Sequence, residues 1–307
     1  MQWNFGVEHE FGSHDTVSLN YVGSGSRHLN LGSYGNTALT PGAGTVSSRA
    51  PYSYISPSHY AWSWGKSSYQ ALQFMYNHRF SSGLSLVTSY TYSKSMDTGC
   101  SGFLGIEGCS VQDPYHFNND RGPSAFDLTH VLVMSWVYEL PFGAGRRFKT
   151  GNRVADYVIG PWQFNGITTI RPGPYYNVTA PGDIANTGNS GYERANLIGD
   201  PKLSNRGPAP AYWFNKTAFA APAAYTFGNF GRDRLRADYT RNFDLSVFRQ
   251  FPLTESKRLE FRAEMFNAFN TPIFAAPTAA FGNANFGLVT SIANTPRQIQ
   301  LALKIFF

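Results

Sequence analysis

The 307-residue chain is 42% hydrophobic and 16% aromatic, only 14% of its residues are charged, and its formal net charge is +6. Disordered chains are poor in aromatic residues and rich in charge, so this composition excludes intrinsic disorder. No stretch of the sequence approaches the roughly 18–20 consecutive apolar residues that a transmembrane helix requires. The densest basic cluster, Arg232, Arg234 and Arg236, is interleaved with Asp233 and Asp238, and without a recognised binding module we expect no nucleic-acid partner.

Alternation of apolar and polar residues with a period of two predicts strands along nearly the whole chain. Nine strands are predicted, at residues 2–11, 15–22, 68–80, 83–94, 128–140, 160–170, 241–251, 257–269 and 297–307. No helix of ordinary length is predicted. An extra hairpin within residues 171–240 would raise the strand count to eleven.

The links between these strands alternate in length. Short links are predicted at residues 12–14, 81–82, 141–159 and 252–256, and long links at 23–67, 95–127, 171–240 and 270–296. Such alternation is hard to explain in a β-sandwich but is typical of a transmembrane β-barrel, with short periplasmic turns and long extracellular loops. The strands also suit the ~9–11 residues that a tilted spanning strand needs. The sequence therefore predicts an all-β fold, an antiparallel transmembrane β-barrel segment of about nine to eleven strands.

An odd number of strands has a consequence for closure. Complete bacterial barrels have an even number of strands, and an open sheet edge in lipid leaves backbone N–H and C=O groups unpaired. We therefore expect an incomplete barrel that would pair with N-terminal barrel strands absent from this chain.

The last strands divide into two faces. In the final strand the odd positions are apolar and the even positions mostly polar, and the strand before it follows the same rule. The polar positions are predicted to face the barrel lumen, with opposite charges on neighbouring strands stabilising one another. These lumen-facing residues are Glu260, Arg262, Glu264 and Lys304.

Several stretches resemble one receptor family in both order and spacing. They are Tyr69-Gln-Ala-Leu-Gln73, Tyr90-Thr-Tyr-Ser-Lys-Ser95, Asp120-Arg-Gly122, Ala125-Phe-Asp127, Trp136-Val-Tyr-Glu-Leu-Pro-Phe-Gly143, Gly160-Pro-Trp-Gln-Phe-Asn-Gly-Ile167, Phe243-Asp-Leu-Ser246, Phe261-Arg-Ala-Glu-Met-Phe-Asn-Ala-Phe-Asn270 and Pro296-Arg-Gln-Ile-Gln300. The pattern resembles the C-terminal barrel half of TonB-dependent outer-membrane receptors, specifically the Oar-like group with a carboxypeptidase-regulatory-like domain. The likeness is strong over residues 68–307 and loose over residues 1–67, within a single barrel segment.

The resemblance implies a receptor in the Gram-negative outer membrane that takes up a scarce ligand such as a siderophore or an oligosaccharide. A structural or adhesive barrel that displays surface loops is the alternative. The sequence shows no signal peptide, TonB box or plug domain, so contact with the TonB complex would pass through a missing plug. Outer-membrane lipid and the barrel-assembly machinery are the other expected partners. We expect no enzyme activity and no cofactor.

Two sets of residues acquire roles through this resemblance. The apolar residues that end the chain are similar to an outer-membrane assembly signal: Ile299, Leu301, Leu303, Ile305 and Phe307. Strand aromatics are predicted to form the interfacial aromatic girdle: Tyr90, Tyr92, Trp136, Tyr138 and Trp162. Trp62 and Trp64 end a predicted outer loop, so either ligand contact or a structural role remains open for them.

The two cysteines, Cys100 and Cys109, flank a short Gly-rich stretch. This arrangement predicts a disulfide and an oxidising compartment, because no His or second Cys pair lies at the spacing of a zinc site. A loss of this disulfide would cost roughly 2–3 kcal/mol.

Two other candidate sites have simpler explanations. The Asn/Asp/Gly-rich run from Asp183 to Asn189, continuing to Asp200, could ligate calcium, but such runs more often form turns. Ser135 and His130 are residue types found in catalytic triads, but nothing in their spacing supports a triad here. We therefore predict neither a metal site nor a catalytic residue.

Overall fold

The computed structural model of the chain describes residues 1–99, 111–143, 146–149, 151–189, 191, 193–203 and 211–307. Its nine long strands are β1 (Gln2–Phe11), β2 (Asp15–Gly35), β3 (Ser58–Ser81), β4 (Leu84–Asp97), β5 (His130–Glu139), β6 (Gln163–Arg171), β7 (Thr240–Pro252), β8 (Arg258–Phe266) and β9 (Gln298–Phe306).

Every long strand pairs antiparallel with its neighbour in the chain, so the sheet follows the order β1 to β9 without a crossover. β1 and β9 lie at the two edges, and no pairing joins them among the described residues. The predicted all-β antiparallel architecture, its nine strands and its lack of closure are confirmed.

Short elements occupy the connections. Two-residue strands pair Gly122–Pro123 with β4, Asn196–Leu197 with Phe219–Ala220, and Tyr175–Tyr176 with Leu235–Arg236. Among the described residues the helices are α1 (Val46–Arg49), α2 (Arg153–Ile159) and two 3₁₀ turns, Phe117–Asp120 and Lys216–Ala218. In the described part of the chain, no helix has the length and apolar character that crossing a membrane would take.

β2 and β3 are much longer than predicted. They run for 21 and 24 residues, and their pairing continues beyond two register shifts as far as Gly35 opposite Ser58. The predicted long link 23–67 is therefore wrong in extent, because the true connection covers only residues 36–57. The missed part of β2, residues 23–35, is rich in Gly and Ser and shows little apolar alternation. The missed part of β3, residues 58–67, does alternate at Tyr60, Trp62 and Trp64, but the prediction assigns these residues to the end of an outer loop.

The pairing register assigns every strand residue to one of two faces. On the apolar face, Leu301 stands opposite Ala263, which stands opposite Val247. On the polar face, Gln300 stands opposite Glu264, which stands opposite Ser246. The side chains on the apolar face are exposed or half-buried, with Leu301 68% exposed and Val247 and Ala263 half-buried. An apolar surface that extends over nine strands exceeds what a soluble monomer tolerates.

The buried hydrophobic cluster lies outside the long strands. All of its members belong to the connections between them: Val178, Ala195, Trp213, Phe214, Ala218, Phe219, Phe230 and Phe286. The sheet therefore exposes apolar residues, whereas the buried hydrophobic core of the fold lies in its loops.

Candidate functional site

The long connections fold together into one body, here called the loop assembly, made of the described residues within 111–129, 172–239 and 267–297. It covers the polar face at the end of the sheet where the long connections lie. A cavity of about 600 Å³ separates the two, lined by Val133 and Asn242 from the strands and by Ile273 and Phe274 from the loops.

Arg232 ties the loop assembly to the end of β4. Its side chain is 1% exposed and forms ion pairs with Asp97 and, at 3.0 Å, with Asp233. It also donates from Nε to the Asp120 carbonyl at 2.9 Å and from Nη2 to the Asp97 carbonyl at 2.8 Å. A buried charge needs this degree of pairing and hydrogen bonding to be tolerated.

A second buried arginine, Arg194, forms an ion pair with Asp120. Its Nε donates to the Phe230 carbonyl at 2.7 Å, and the second carboxylate oxygen of Asp120 accepts from the Gln112 backbone N–H at 2.8 Å. Asp120 therefore joins two different connections within the loop assembly.

Arg236 repeats the arrangement closer to β5. Its Nη2 lies 2.7 Å from Oδ2 of Asp127, while Oδ1 of Asp127 accepts from the Ser95 backbone N–H at 2.6 Å. The guanidinium also lies over the Tyr175 ring, 3.7 Å from its centroid. The basic cluster that looked unremarkable in the sequence therefore supplies two links. Arg232 is buried and pairs with Asp97 and Asp233, whereas Arg236 is half-buried and pairs with Asp127.

Asp183 adopts turn geometry. Its backbone carbonyl accepts from the Asn186 N–H at 3.0 Å, as in a β-turn. Its carboxylate accepts backbone N–H groups from Thr187 at 2.8 Å and Gly188 at 2.6 Å. No group of three or more potential ligands that could hold a metal ion occurs among the described residues.

Glu193 is buried beside this turn, with 1% of its surface exposed. It accepts backbone N–H groups from Ile184 at 2.9 Å and Ala185 at 2.8 Å. Burial raises the pKa of Glu193 to about 7, and the nearby charge of Asp183 acts in the same direction, although the two N–H donors oppose the shift.

The predicted lumen-facing residues lie together on the polar face. Glu260 stands opposite Lys304, and Glu264 stands opposite Gln300. The expected cross-strand ion pair is replaced by one along β8, where Arg262 lies 2.8 Å from Glu260. Glu260 and Arg262 line a cavity of about 650 Å³ near the short turns.

The five predicted girdle residues share the apolar face. Tyr90 and Tyr92 lie toward the long loops, whereas Trp136, Tyr138 and Trp162 lie toward the short turns. Tyr138 stands opposite Leu84 at the start of β4. Tyr92 lies further along the same strand, about 27 Å from Leu84 at the usual rise per residue. A strand tilt of ~40° reduces this to about 20 Å, near the ~25 Å height of a membrane-spanning apolar band. Their role in a girdle stays a prediction.

Trp62 and Trp64 lie within β3 rather than in a loop. The Trp62 ring stacks on Tyr60 with centroids 5.5 Å apart and on Trp64 at 4.3 Å, and Trp64 stacks on Phe117 at 5.7 Å. Because the ring faces cover one another, this aromatic column offers mainly ring edges to a ligand.

The remaining predicted residues are widely separated. Ile299, Leu301, Leu303 and Ile305 are exposed on the apolar face of β9, and Phe307 follows it. Ser135 lies opposite Ile167 on the polar face, whereas the His130 ring lies near Tyr90 on the apolar face. The predicted Cys100–Cys109 disulfide lies outside the described residues.

The buried arginines generate a first prediction. We expect Arg232→Met to lower the free energy of unfolding of the loop assembly by about 3–5 kcal/mol, because Asp97 and Asp233 would remain buried without their counter-charge. The measurement is the urea dependence of protease resistance in detergent. Arg234 is exposed and lies between Asp233 and Asp238 in the sequence, so Arg234→Met should stay within about 0.5 kcal/mol. Equal stability of the two variants would contradict the proposed role of Arg232.

Glu193 generates a second prediction. Its folded pKa exceeds the ordinary value of 4.5, so between pH 4.5 and 7 the folded loops bind more protons than the unfolded chain. Their stability should therefore fall as the pH rises through this window, on the order of 1–3 kcal/mol. Urea titrations at pH 5 and pH 8 measure the change. Glu193→Gln should abolish the contribution, and an unchanged pH dependence in this variant would show that another group is responsible.

A comparison with protein families agrees with this architecture. A family model described as an outer membrane beta barrel domain matches residues 1–300. Two similar solved structures are the outer membrane transporter YddB from Escherichia coli (10% identity, TM-score 0.49) and BauA, the ferric preacinetobactin receptor from Acinetobacter baumannii (11% identity, TM-score 0.45). Each alignment covers 99% of this chain but only 32% and 29% of those proteins, so the chain spans about a third of their length. No curated protein matches the sequence.

Because the family model covers nearly the whole chain, the chain belongs to the outer membrane beta barrel domain family and is a protein of the cell outer membrane.

Proposed function

We propose that this chain is the barrel wall and outer-loop portion of a TonB-dependent receptor of the Oar-like group, and that the receptor takes up a scarce ligand. The observation that carries the proposal is the loop assembly. Arginine ion pairs attach it to the sheet, and a chamber lies between it and the polar face. The resemblance of the Asp120-Arg-Gly and Ala-Phe-Asp127 motifs to that group adds support, since both aspartates anchor the assembly.

In this proposal the apolar face contacts lipid and the polar face contacts the lumen. The short turns are periplasmic, and the loop assembly is extracellular, where it meets the ligand first. Barrel-assembly machinery, further barrel strands, a plug and the TonB complex are the proposed partners, and energy would reach the receptor through the plug.

The chamber suits a ligand with both apolar and hydrogen-bonding groups. Ile273 and Phe274 supply apolar surface, while Arg171, Asn242 and Asn294 supply polar groups. This mixture is typical of sites that recognise small molecules. We propose a binding role without catalysis or a cofactor, with a siderophore or an oligosaccharide as candidate ligand classes.

One observation favours an adhesive or structural barrel as a second candidate. A spanning strand needs ~9–11 residues, whereas β2 and β3 are about twice as long. The surplus forms a stiff hairpin that would project beyond the membrane, stiffened by the aromatic column from Tyr60 to Trp64.

The test is an uptake comparison in the native host. Strains with and without the gene, each with and without a functional TonB, are compared for compounds that they remove from the growth medium. Transport predicts at least one compound whose removal requires both the gene and TonB. Loss of surface attachment with unchanged uptake would instead support the adhesive barrel.

A matched pair of variants connects uptake with the chamber. Ala276 lines the cavity, so Ala276→Trp should reduce uptake at least about ten-fold by occupying ligand space. Ala284 is exposed on the same connection away from the lining residues, so Ala284→Trp should retain uptake. Equal uptake by both variants would place the ligand elsewhere.

The face assignment generates a separate prediction. Leu301→Arg places a charge on the apolar face and should destabilise the membrane-inserted chain by roughly 2–4 kcal/mol, whereas Ala302→Arg on the polar face should cost much less. Denaturant titration in lipid vesicles measures both. Equal tolerance at the two neighbouring positions would refute the lipid-facing assignment.

A further inference from the structure

Helix α2 lies against the apolar face of the sheet, on the opposite side from the loop assembly. Asn152 caps its start by accepting backbone N–H groups from Val154 at 2.9 Å and Ala155 at 3.2 Å. Its end is fixed to the strands, because the Tyr157 ring contacts Phe251 with centroids 5.8 Å apart and its hydroxyl donates to the Pro252 carbonyl at 3.3 Å.

Arg249 is the centre of this contact and an exception on its face. The register places it opposite Phe261 and between Val247 and Phe251, all on the apolar face. It is nevertheless only 3% exposed, and it forms no ion pair with any described residue. A charge on the lipid side of a barrel is destabilising unless the protein solvates it.

The end of α2 provides that solvation. Arg249 donates to the Val158 carbonyl at 2.8 Å, to the Gly160 carbonyl at 2.9 Å and to the Tyr157 carbonyl. These are the carbonyls that a helix end leaves without intrahelical partners. The guanidinium also lies 4.5 Å from the Phe251 ring centroid, so the side chain is enclosed by polar acceptors and aromatic rings.

Three aliphatic side chains of α2 are exposed: Val154 at 73%, Val158 at 58% and Ile159 at 43%. Asp156 is buried. A group of exposed aliphatic residues of this kind is unfavourable in water. The connection just before α2 adds the exposed cations Arg147 and Lys149, and a Cβ at its Gly143 would lie 2.4 Å from Gly160, so the two segments pack together.

We propose that α2 is an interfacial helix that lies in the periplasmic leaflet of the outer membrane, anchored to the barrel wall by Arg249. Its apolar side contacts acyl chains, and Arg147 and Lys149 contact lipid phosphate groups. The exposed aliphatic residues of α2 continue the apolar face of the sheet, and Arg147 and Lys149 flank them. Interfacial helices bind phospholipid through an apolar side and neighbouring cations together, so we assign phospholipid as the binding partner of α2. The proposal rests on the membrane location of the family and on the orientation proposed above, in which the short turns are periplasmic, and not on the proposed ligand uptake.

The test measures how deeply α2 lies in lipid. Val158→Cys carries an environment-sensitive fluorophore in a Cys100→Ser, Cys109→Ser background, and the chain is reconstituted in vesicles of phosphatidylethanolamine and phosphatidylglycerol. Lipids brominated near the headgroup end of the acyl chain should quench this label at least about half as strongly as a label at Leu301→Cys. A label at Ala302→Cys, on the polar face, is the matched control and should resist lipid quenching.

Two results would overturn the proposal. Quenching of the Val158 label by aqueous iodide without quenching by brominated lipid would place α2 in water. Shielding from both quenchers would mean that a protein surface or a second copy of the chain covers the helix.

The anchoring role of Arg249 has its own readout. Arg249→Met should raise iodide quenching of the Val158 label at least about two-fold, because the carbonyls at the helix end would lose their donors. Arg241 lies on the same strand and face at the opposite end, with its guanidinium 4.1 Å from the Tyr239 ring centroid, so Arg241→Met should leave the label unchanged. The same result from both variants would show that Arg249 does not hold α2.

Discussion

The apolar face of the sheet is the constraint on which the rest of the structure depends. Nine strands place their aliphatic and aromatic side chains outward, as the 64% exposure of Leu303 illustrates, so the sheet cannot build its stability from an interior of its own in water. Backbone pairing in lipid supplies the cohesion of the wall, because no water is available there to compete for the N–H and C=O groups. The hydrophobic core that a soluble protein would place between its sheets is consequently found in the loops, around Phe214 and Phe219.

Loops with a core of this kind still need fixed attachments to the wall. Arginine side chains provide them through contacts that are distant in sequence: Arg232 and Asp97 are 135 residues apart, and Arg236 and Asp127 are 109 apart. A chamber between wall and loops keeps its shape only if both sides are held, so these links stabilise the chamber to which we propose that a ligand binds. Hydrogen bonds to backbone carbonyls complete the pairing, as required for buried charge.

The sequence allowed the wall to be predicted but not the attachments. Period-two alternation identifies a strand wherever one face is apolar, which is why β7, β8 and β9 and both their faces agree with expectation. The same signal is weak where apolar residues are sparse, so the Gly- and Ser-rich extension of β2 from Gly23 to Gly35 was missed. Arg232 and Arg249 give no local signal at all, since their partners are carbonyls and carboxylates that only the folded chain brings together.

Two of the buried arginines, Arg232 and Arg249, lie on opposite sides of the barrel wall. Arg232 lies on the loop side and is neutralised by carboxylates, whereas Arg249 lies on the lipid side and is solvated by three carbonyls at the end of α2. Carboxylates beside Arg249 would bring further charge into a region of low polarity, while peptide carbonyls accept hydrogen bonds without adding net charge. A short helix end is therefore well suited to bury a cation next to lipid. It follows that the position of α2 is set by the guanidinium it covers as much as by the apolar residues it presents to the membrane.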